Sequence, residues 1–199
     1  SFIQDSQNLM QKAQNLYIPN NSFLFSCDFE SLYSNIDLNL ALDMISDFMK
    51  TKIPLSTLSS DISIFGFREI LNLVFSNNFF SYKNLYFKQI LGIAMGSICG
   101  PTVANIFVYI FENKWLTIHR PIFYVRFIDD IFLVTNTPNV DSLNNSFGNL
   151  KLNIVTNKIV NFLDLNISID LLTNRLKFSL FIKPTNTFSY LLINSNHPN

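Results

Sequence analysis

The stretch FYVRFIDDIFLVTN, Phe123 to Asn136, decides how the rest of this chain is read. Its flanks are aromatic and β-branched, as in a strand, yet Asp129 and Asp130 stand together in the middle. Aspartate is depleted in strands, and a charge inside an apolar run is costly unless something compensates it. Adjacent aspartates usually mark a turn or a helix cap. With strand-prone residues on both sides, this pair is expected at the tip of a tight hairpin, where both side chains can point to one side.

Working outward, SFLFSCDF, Ser22 to Phe29, reads as a second buried strand that carries Asp28 at its end. Three carboxylates converging on a sheet edge do not ionise cheaply together unless cations neutralise them. Oxygen donors suit hard cations, Mg²⁺ above all. Two such ions held close together would stabilise the attacking and leaving oxygens of a phosphoryl displacement.

Around these strands the elements alternate. Residues 1–21 are polar and partly helical. After a turn through Tyr33 to Asp37, LNLALDMISDFMK has helical spacing, with Leu38, Leu42, Ile45 and Met49 on one stripe. Pro54 and a Ser/Thr cluster break it, and ISIFGFREILNLVFSNN forms a second amphipathic helix. FFSYKNLYFKQ is a hairpin turning at Lys83-Asn84. A Gly-rich loop then leads into a helix from about Pro101 to Ile118, with proline at its first turn. VDSLNNSFGNL is a modest helix, and the remainder is strand-rich, with turns at Thr156-Asn157 and Thr173-Asn174. The pattern is α+β: a small antiparallel sheet with helices packed on one face. The expected divisions are the N-terminal segment 1–21, a central part 22–150 that holds the acidic motifs, and a strand-rich part 151–199.

Composition excludes several classes. At 48% hydrophobic, the 199-residue chain can bury a sizeable core and is not disordered. Fourteen Lys and Arg balance fourteen Asp and Glu, which argues against a broadly basic nucleic-acid clamp. Cys27 and Cys99 lack metal spacing and read as reduced thiols; His119 and His197 likewise have no metal-binding partner. The uncharged run from Gln89 to Phe111 approaches transmembrane length. Its three glycines, Pro101, Ser97, Thr102 and Asn105 favour a loop and a buried helix over a membrane span. The chain opens with Ser1 rather than Met, as expected of a fragment or processed product.

Several blocks, in this order, resemble reverse transcriptases. FSCDFESLYSNI is similar to that family's first catalytic motif, an Asp followed five residues later by an aromatic. QILGIAMGSICGPTVANIF resembles the Gln, Gly and Ser-x-x-x-Pro block that leads into a palm helix, and FIDD the aromatic-x-Asp-Asp signature. The wording SLYSNI, AMGSICGPTVANIF, NFLDLNI and IKPTNTFSYLLINSNHP looks like Penelope-like retroelements, covering about Phe25 to Pro198.

The resemblance implies an RNA-directed DNA polymerase palm with partial fingers and no thumb, acting with deoxynucleoside triphosphates on an RNA template carrying a DNA primer. Asp28, Asp129 and Asp130 would hold two Mg²⁺ ions, Mn²⁺ being a substitute, with the Phe29 backbone carbonyl as a further ligand and Asp130 bound less directly. Tyr33 would lie beneath the incoming sugar and exclude a 2′-hydroxyl, or else pack as a core aromatic. Gln89, Gly92, Met95, Gly96 and Ser97 would line the nascent base pair. Asn105 either faces the nucleotide or caps and solubilises its helix. Asp164 is structural, Lys183 contacts the nucleic-acid backbone or is solvated, and Lys151 or Lys158 assists pyrophosphate departure. Only 27 residues precede Asp28, with Lys12 their sole basic residue, so the basic fingers of relatives are missing. The alternative is a truncated, inactive retroelement remnant that at most binds nucleic acid. No membrane is implied; a monomer is expected of such a fragment, and the nucleus of a retroelement polymerase.

Overall fold

The computed structural model of the protein describes residues 1–52 and 64–185. The break expected at Pro54, the first residues of the second helix and the closing Ser-Asn-His-Pro lie outside them. The chain order is α1 (Ser6–Ala13), β1 (Phe23–Phe29), α2 (Leu32–Asn35), α3 (Leu38–Lys52), α4 (Ile64–Ser76), β2 (Phe79–Tyr82), β3 (Leu85–Lys88) and α5 (Gly100–His119). There follow β4 (Phe123–Phe127), β5 (Asp130–Thr135), α6 (Asp141–Asn144), a 3-10 turn (Asn145–Phe147), β6 (Leu152–Thr156), β7 (Ile159–Phe162), β8 (Leu165–Asp170) and β9 (Arg175–Leu180).

A four-stranded antiparallel sheet, ordered β4-β5-β1-β6, forms the centre. Alternate residues of β1 go to opposite faces, as strand geometry requires. Phe25, Cys27 and Phe29, with Ile131 and Leu133 of β5, face a core built with α3 and α5 through Leu42, Ile45, Val103 and Phe107. Leu24, Phe132 and Val134 face the other way, onto Val160, Phe162, Leu165 and Ile167.

That second face corrects the sequence expectation of one small sheet with helices on a single side. Strands β7-β8-β9 form a separate antiparallel sheet, and with Ile3, Leu9 and Ile18 it covers the face away from the helices. Double coverage explains why Ile131 to Val134 run uninterrupted in apolar residues, all fully buried, instead of alternating. Ser26 fastens the layers by donating its hydroxyl to the Asn161 carbonyl at 2.7 Å. The central sheet also spans the expected division at residue 150, since β6 pairs along β1 from Phe29↔Leu152 to Phe25↔Thr156.

The hairpin β2-β3 turns at Lys83-Asn84, both in the left-handed region that a two-residue turn of this kind needs. The uncharged stretch divides into a loop and α5, with Pro101 in the first turn of the helix. Among the described residues no helix is long and apolar enough to cross a membrane. Where a plain turn was expected between Tyr33 and Asp37, the chain makes the short helix α2, entered through Ser31 in a left-handed conformation.

Phe132 sits between the two sheets and contacts the rings of Phe123 and Phe162 at 6.2 and 5.8 Å between centroids. Phe132→Ala is expected to cost about 3–5 kcal/mol in denaturant unfolding, as for other fully buried aromatics. A loss below about 1 kcal/mol would mean that the sheet-on-sheet layer contributes little.

Candidate active site

Three aspartates meet at one end of the central sheet. In the antiparallel register Asp28 of β1 lies directly across from Asp130 of β5, and on its other side from Asn153 of β6. Residues directly opposite share a face. The row Leu24, Ser26, Asp28 and the row Val134, Phe132, Asp130 therefore run along the face that meets the second sheet. Both rows turn acidic only at their last residue, where the covering layer gives way to an open cavity.

Asp129 lies in the two-residue turn between Phe127 and Asp130, and its carbonyl accepts the Phe29 N–H at 3.2 Å. The turn begins with Ile128 at φ 52°, a left-handed conformation that a β-branched residue rarely adopts. The same joint recurs between β7 and β8: Leu163 takes φ 54°, Asp164 follows, and Phe162 pairs with Leu165. There Asp164 is held by the Ser6 hydroxyl, and its carbonyl accepts Phe181 N–H at 2.7 Å.

Crowding of like charge is legible in the acidities. Burial, then the charges of Asp129 and Asp28, push Asp130 up to about 6, with Lys183 opposing the rise. Asp28 is raised by burial and by Asp129, and lowered in part by Lys183. Tyr33 is raised by burial and by Asp129, which places the ring and that carboxylate within electrical reach. Lys183, an exposed residue just past β9, supplies the cationic charge at this edge. Lys151 and Lys158 are also exposed, and they flank β6. A cavity of about 640 Å³ joins Asp130 to Lys183 and is bordered by Phe127, Asn161, Asp164 and Phe181.

The Gly-rich loop reaches the same edge through backbone contacts. Ile93 N–H donates to the Tyr33 carbonyl at 2.7 Å. Gly92, at φ 74°, comes so close that a Cβ there would stand 2.5 Å from the Tyr33 oxygen and 2.6 Å from the Ser34 Cα. The close approach that its missing side chain allows is thus to the protein's own backbone. Met95 and Gly96 are exposed, and Gly96 has open space around it. The Ser97 hydroxyl lies 3.4 Å from the Cys99 sulfur. Gln89 turns its side-chain amide to the Leu91 carbonyl and borders a second cavity, of about 600 Å³, with Lys88, Asp37 and Asn72.

The Phe29 side chain is core, edge-on to Phe147 at 4.9 Å, and its backbone N–H reaches the Asp129 carbonyl. One position sits differently from the sequence expectation. Asn105, half-buried in α5, does not cap its helix: its side-chain oxygen accepts from Arg126 at 2.7 Å. Arg126 itself went unread in the sequence, as did Glu112, its buried partner at 2.5 Å. For Arg126 the signal is a lone charge within the apolar run FYVRFI, whereas Glu112 only closes the uncharged run, two residues before Lys114. Among the described residues no group of three or more His, Cys, Asp or Glu side chains is gathered closely enough to hold a metal ion.

A family model described as reverse transcriptase (RNA-dependent DNA polymerase) matches residues 2–191. No curated protein matches the chain. Among solved structures, apo telomerase from Candida tropicalis, truncated from its C-terminal domain, is similar at 15% identity and TM-score 0.64. That match covers 90% of this chain and 41% of the other. Telomerase from Candida albicans in complex with a TWJ fragment of telomeric RNA matches at 13% identity and TM-score 0.64, over 90% of this chain and 36% of that one. The Candida tropicalis complex with such a fragment gives 16% identity and TM-score 0.65, over 96% and 36%. These likenesses are of fold, and the chain spans well under two thirds of each neighbour.

Because the pKa of Asp130 is raised on folding, its contribution to stability is full below about pH 4 and is lost as pH rises through about 6. In chelator-containing buffer, folding stability should therefore fall by about 1 kcal/mol over that window, after allowance for solvent screening of this half-buried group. Asp130→Asn should flatten the slope. Equal slopes in the two proteins by urea titration would remove Asp130 as its source.

Proposed function

Since the chain belongs to the reverse transcriptase (RNA-dependent DNA polymerase) family, we propose that it carries the catalytic palm of an RNA-templated DNA polymerase. The reaction is transfer of a deoxynucleotide to a primer 3′-hydroxyl. One observation carries this reading: the β1–β5 register that sets Asp28 against Asp130, with Asp129 in the adjoining turn. The Candida structures solved with a fragment of telomeric RNA support an RNA partner. The motif wording quoted above supports a retroelement of Penelope-like type.

The donor types suit a divalent metal, which would have to draw the three carboxylates closer together than they stand here. Asp28, Asp129 and Asp130 offer only carboxylate oxygens, the ligands that Mg²⁺ or Mn²⁺ takes. The raised pKa values of Asp28 and Asp130 mark the cost of ionising them together, which a bound cation would relieve. When bound, such ions neutralise charge on the attacking hydroxyl and on the triphosphate. The chain's own residues orient the reactants. Tyr33, half-buried beside Asp129, offers its ring as the floor under the incoming sugar and leaves no room for a 2′-hydroxyl. The loop 92–97, tied to the Tyr33 backbone through Ile93, would rest against the nascent base pair. Lys183 meets the phosphates of the nucleic-acid backbone across the cavity from Asp130.

Primer extension on an RNA template tests the reading. Asp28→Ala and Asp129→Ala are each expected to cut synthesis about 1,000-fold or more, the scale of several kcal/mol of charge stabilisation. Undiminished synthesis in either variant would end the assignment of metal ligands. Tyr33→Ala should incorporate ribonucleotides that the parent rejects; an unchanged sugar preference would clear Tyr33 of that role.

A further inference from the structure

Arg126 is the fourth of the five residues of β4 and Glu112 lies in α5; their side chains are 2% and 0% exposed. A buried pair of this kind adds little to net stability, because desolvation offsets the attraction. The guanidinium nevertheless spends each of its nitrogens. Nε donates to Glu112 at 2.5 Å. Nη1 donates both to the Asn105 side-chain oxygen at 2.7 Å and to the Ile128 carbonyl at 2.8 Å, and Nη2 to the Asn105 carbonyl at 3.2 Å. The Ser1 hydroxyl and, at 3.4 Å, the Tyr124 hydroxyl complete the shell around Glu112.

The Ile128 carbonyl belongs to the one residue of the β4–β5 turn that stands in an unfavourable backbone conformation. That residue immediately precedes Asp129. We propose that Arg126 is a positioning residue: anchored to α5 through Glu112 and Asn105, it pins the Ile128 carbonyl and so fixes the backbone that presents Asp129 and Asp130. The planar fork suits the task, since it reaches a helix and a strand turn at once from fixed directions. The matching joint at Leu163 bears no carboxylate pair, and its recorded anchors are Ser6 and the Phe181 N–H. Helix and turn are thus cross-braced where chemistry demands accuracy.

The proposal rests on the polymerase reading for its catalytic consequence but not for its geometry, and the test separates the two. In Arg126→Met/Glu112→Met the pair is replaced by apolar groups of similar volume, a change that is often neutral for stability. The expected result is a folded chain in which kcat for primer extension falls about 100-fold, the scale of a misplacement of about 1 Å. KM for the nucleotide should change by less than about twofold.

By NMR, the Ile128 shifts and couplings should leave the left-handed pattern while those of Leu163 stay in it. Adding Ile128→Gly, which takes that conformation without strain, should recover part of the loss. Should the double variant fail to fold, Arg126→Lys poses the same question, because one ammonium cannot span Glu112 and the turn. Left-handed Ile128 in the folded variant, or kcat within about twofold of the parent, would overturn the proposal. A parent that synthesises nothing would overturn the polymerase reading alone, leaving the NMR result to decide on Arg126.

Discussion

Antiparallel pairing of β1 with β5 places Cys27 against Ile131 and Asp28 against Asp130. A slip of one residue would send every side chain of β1 to the opposite face. The register is held by burial: Phe25, Cys27 and Phe29 fill the helix-side core, and burying each phenylalanine stabilises the fold by about 1.5–3 kcal/mol. Like charges directly opposite one another are destabilising by up to about 1 kcal/mol. The core term is the larger, so the aspartates stay aligned although they repel each other. The remaining parts of the site follow from this alignment. Asp129 reaches β1 through Phe29, Tyr33 follows from the end of β1, and the loop docks on Tyr33.

Much of this was readable in the chain. The hairpin announced itself because two aspartates break a β-prone run, and only a turn accommodates them. Lys83-Asn84 and Pro101 mark their elements by local backbone chemistry alone. What stayed hidden depends on distance along the chain. The second sheet carries Asn and Ser between its apolar residues, so it looks like a one-sided surface sheet until it stacks on the first. Gly92 reads as a ligand-facing glycine, and only the folded chain shows that its neighbour is the Tyr33–Ser34 backbone. The segment IKPT places a lysine far from Asp28 in sequence, and the end of β9 returns it to the acidic edge, where its charge reaches Asp28 and Asp130.

Balance of charge also takes on meaning at the site. A neutral total conceals a local arrangement of carboxylates facing one lysine across a cavity. Arg126 adds no field there for a substrate, since it is sealed in by Glu112 and Asn105. Lys183 and Arg126 therefore differ in kind: Lys183 is exposed beside the carboxylates, and Arg126 is buried against Glu112.

The paired joints at Ile128 and Leu163 have a wider consequence. One backbone pattern, an aliphatic residue in a left-handed conformation followed by aspartate, closes hairpins in both sheets. At one copy that aspartate, Asp129, stands beside the Asp130 that faces Asp28 on β1; at the other, Asp164 is occupied with Ser6. The joint is thus a mechanical part indifferent to the task of its side chain. A lineage that already folds with it can gain or surrender phosphoryl chemistry by exchanging carboxylates, leaving the backbone as it was.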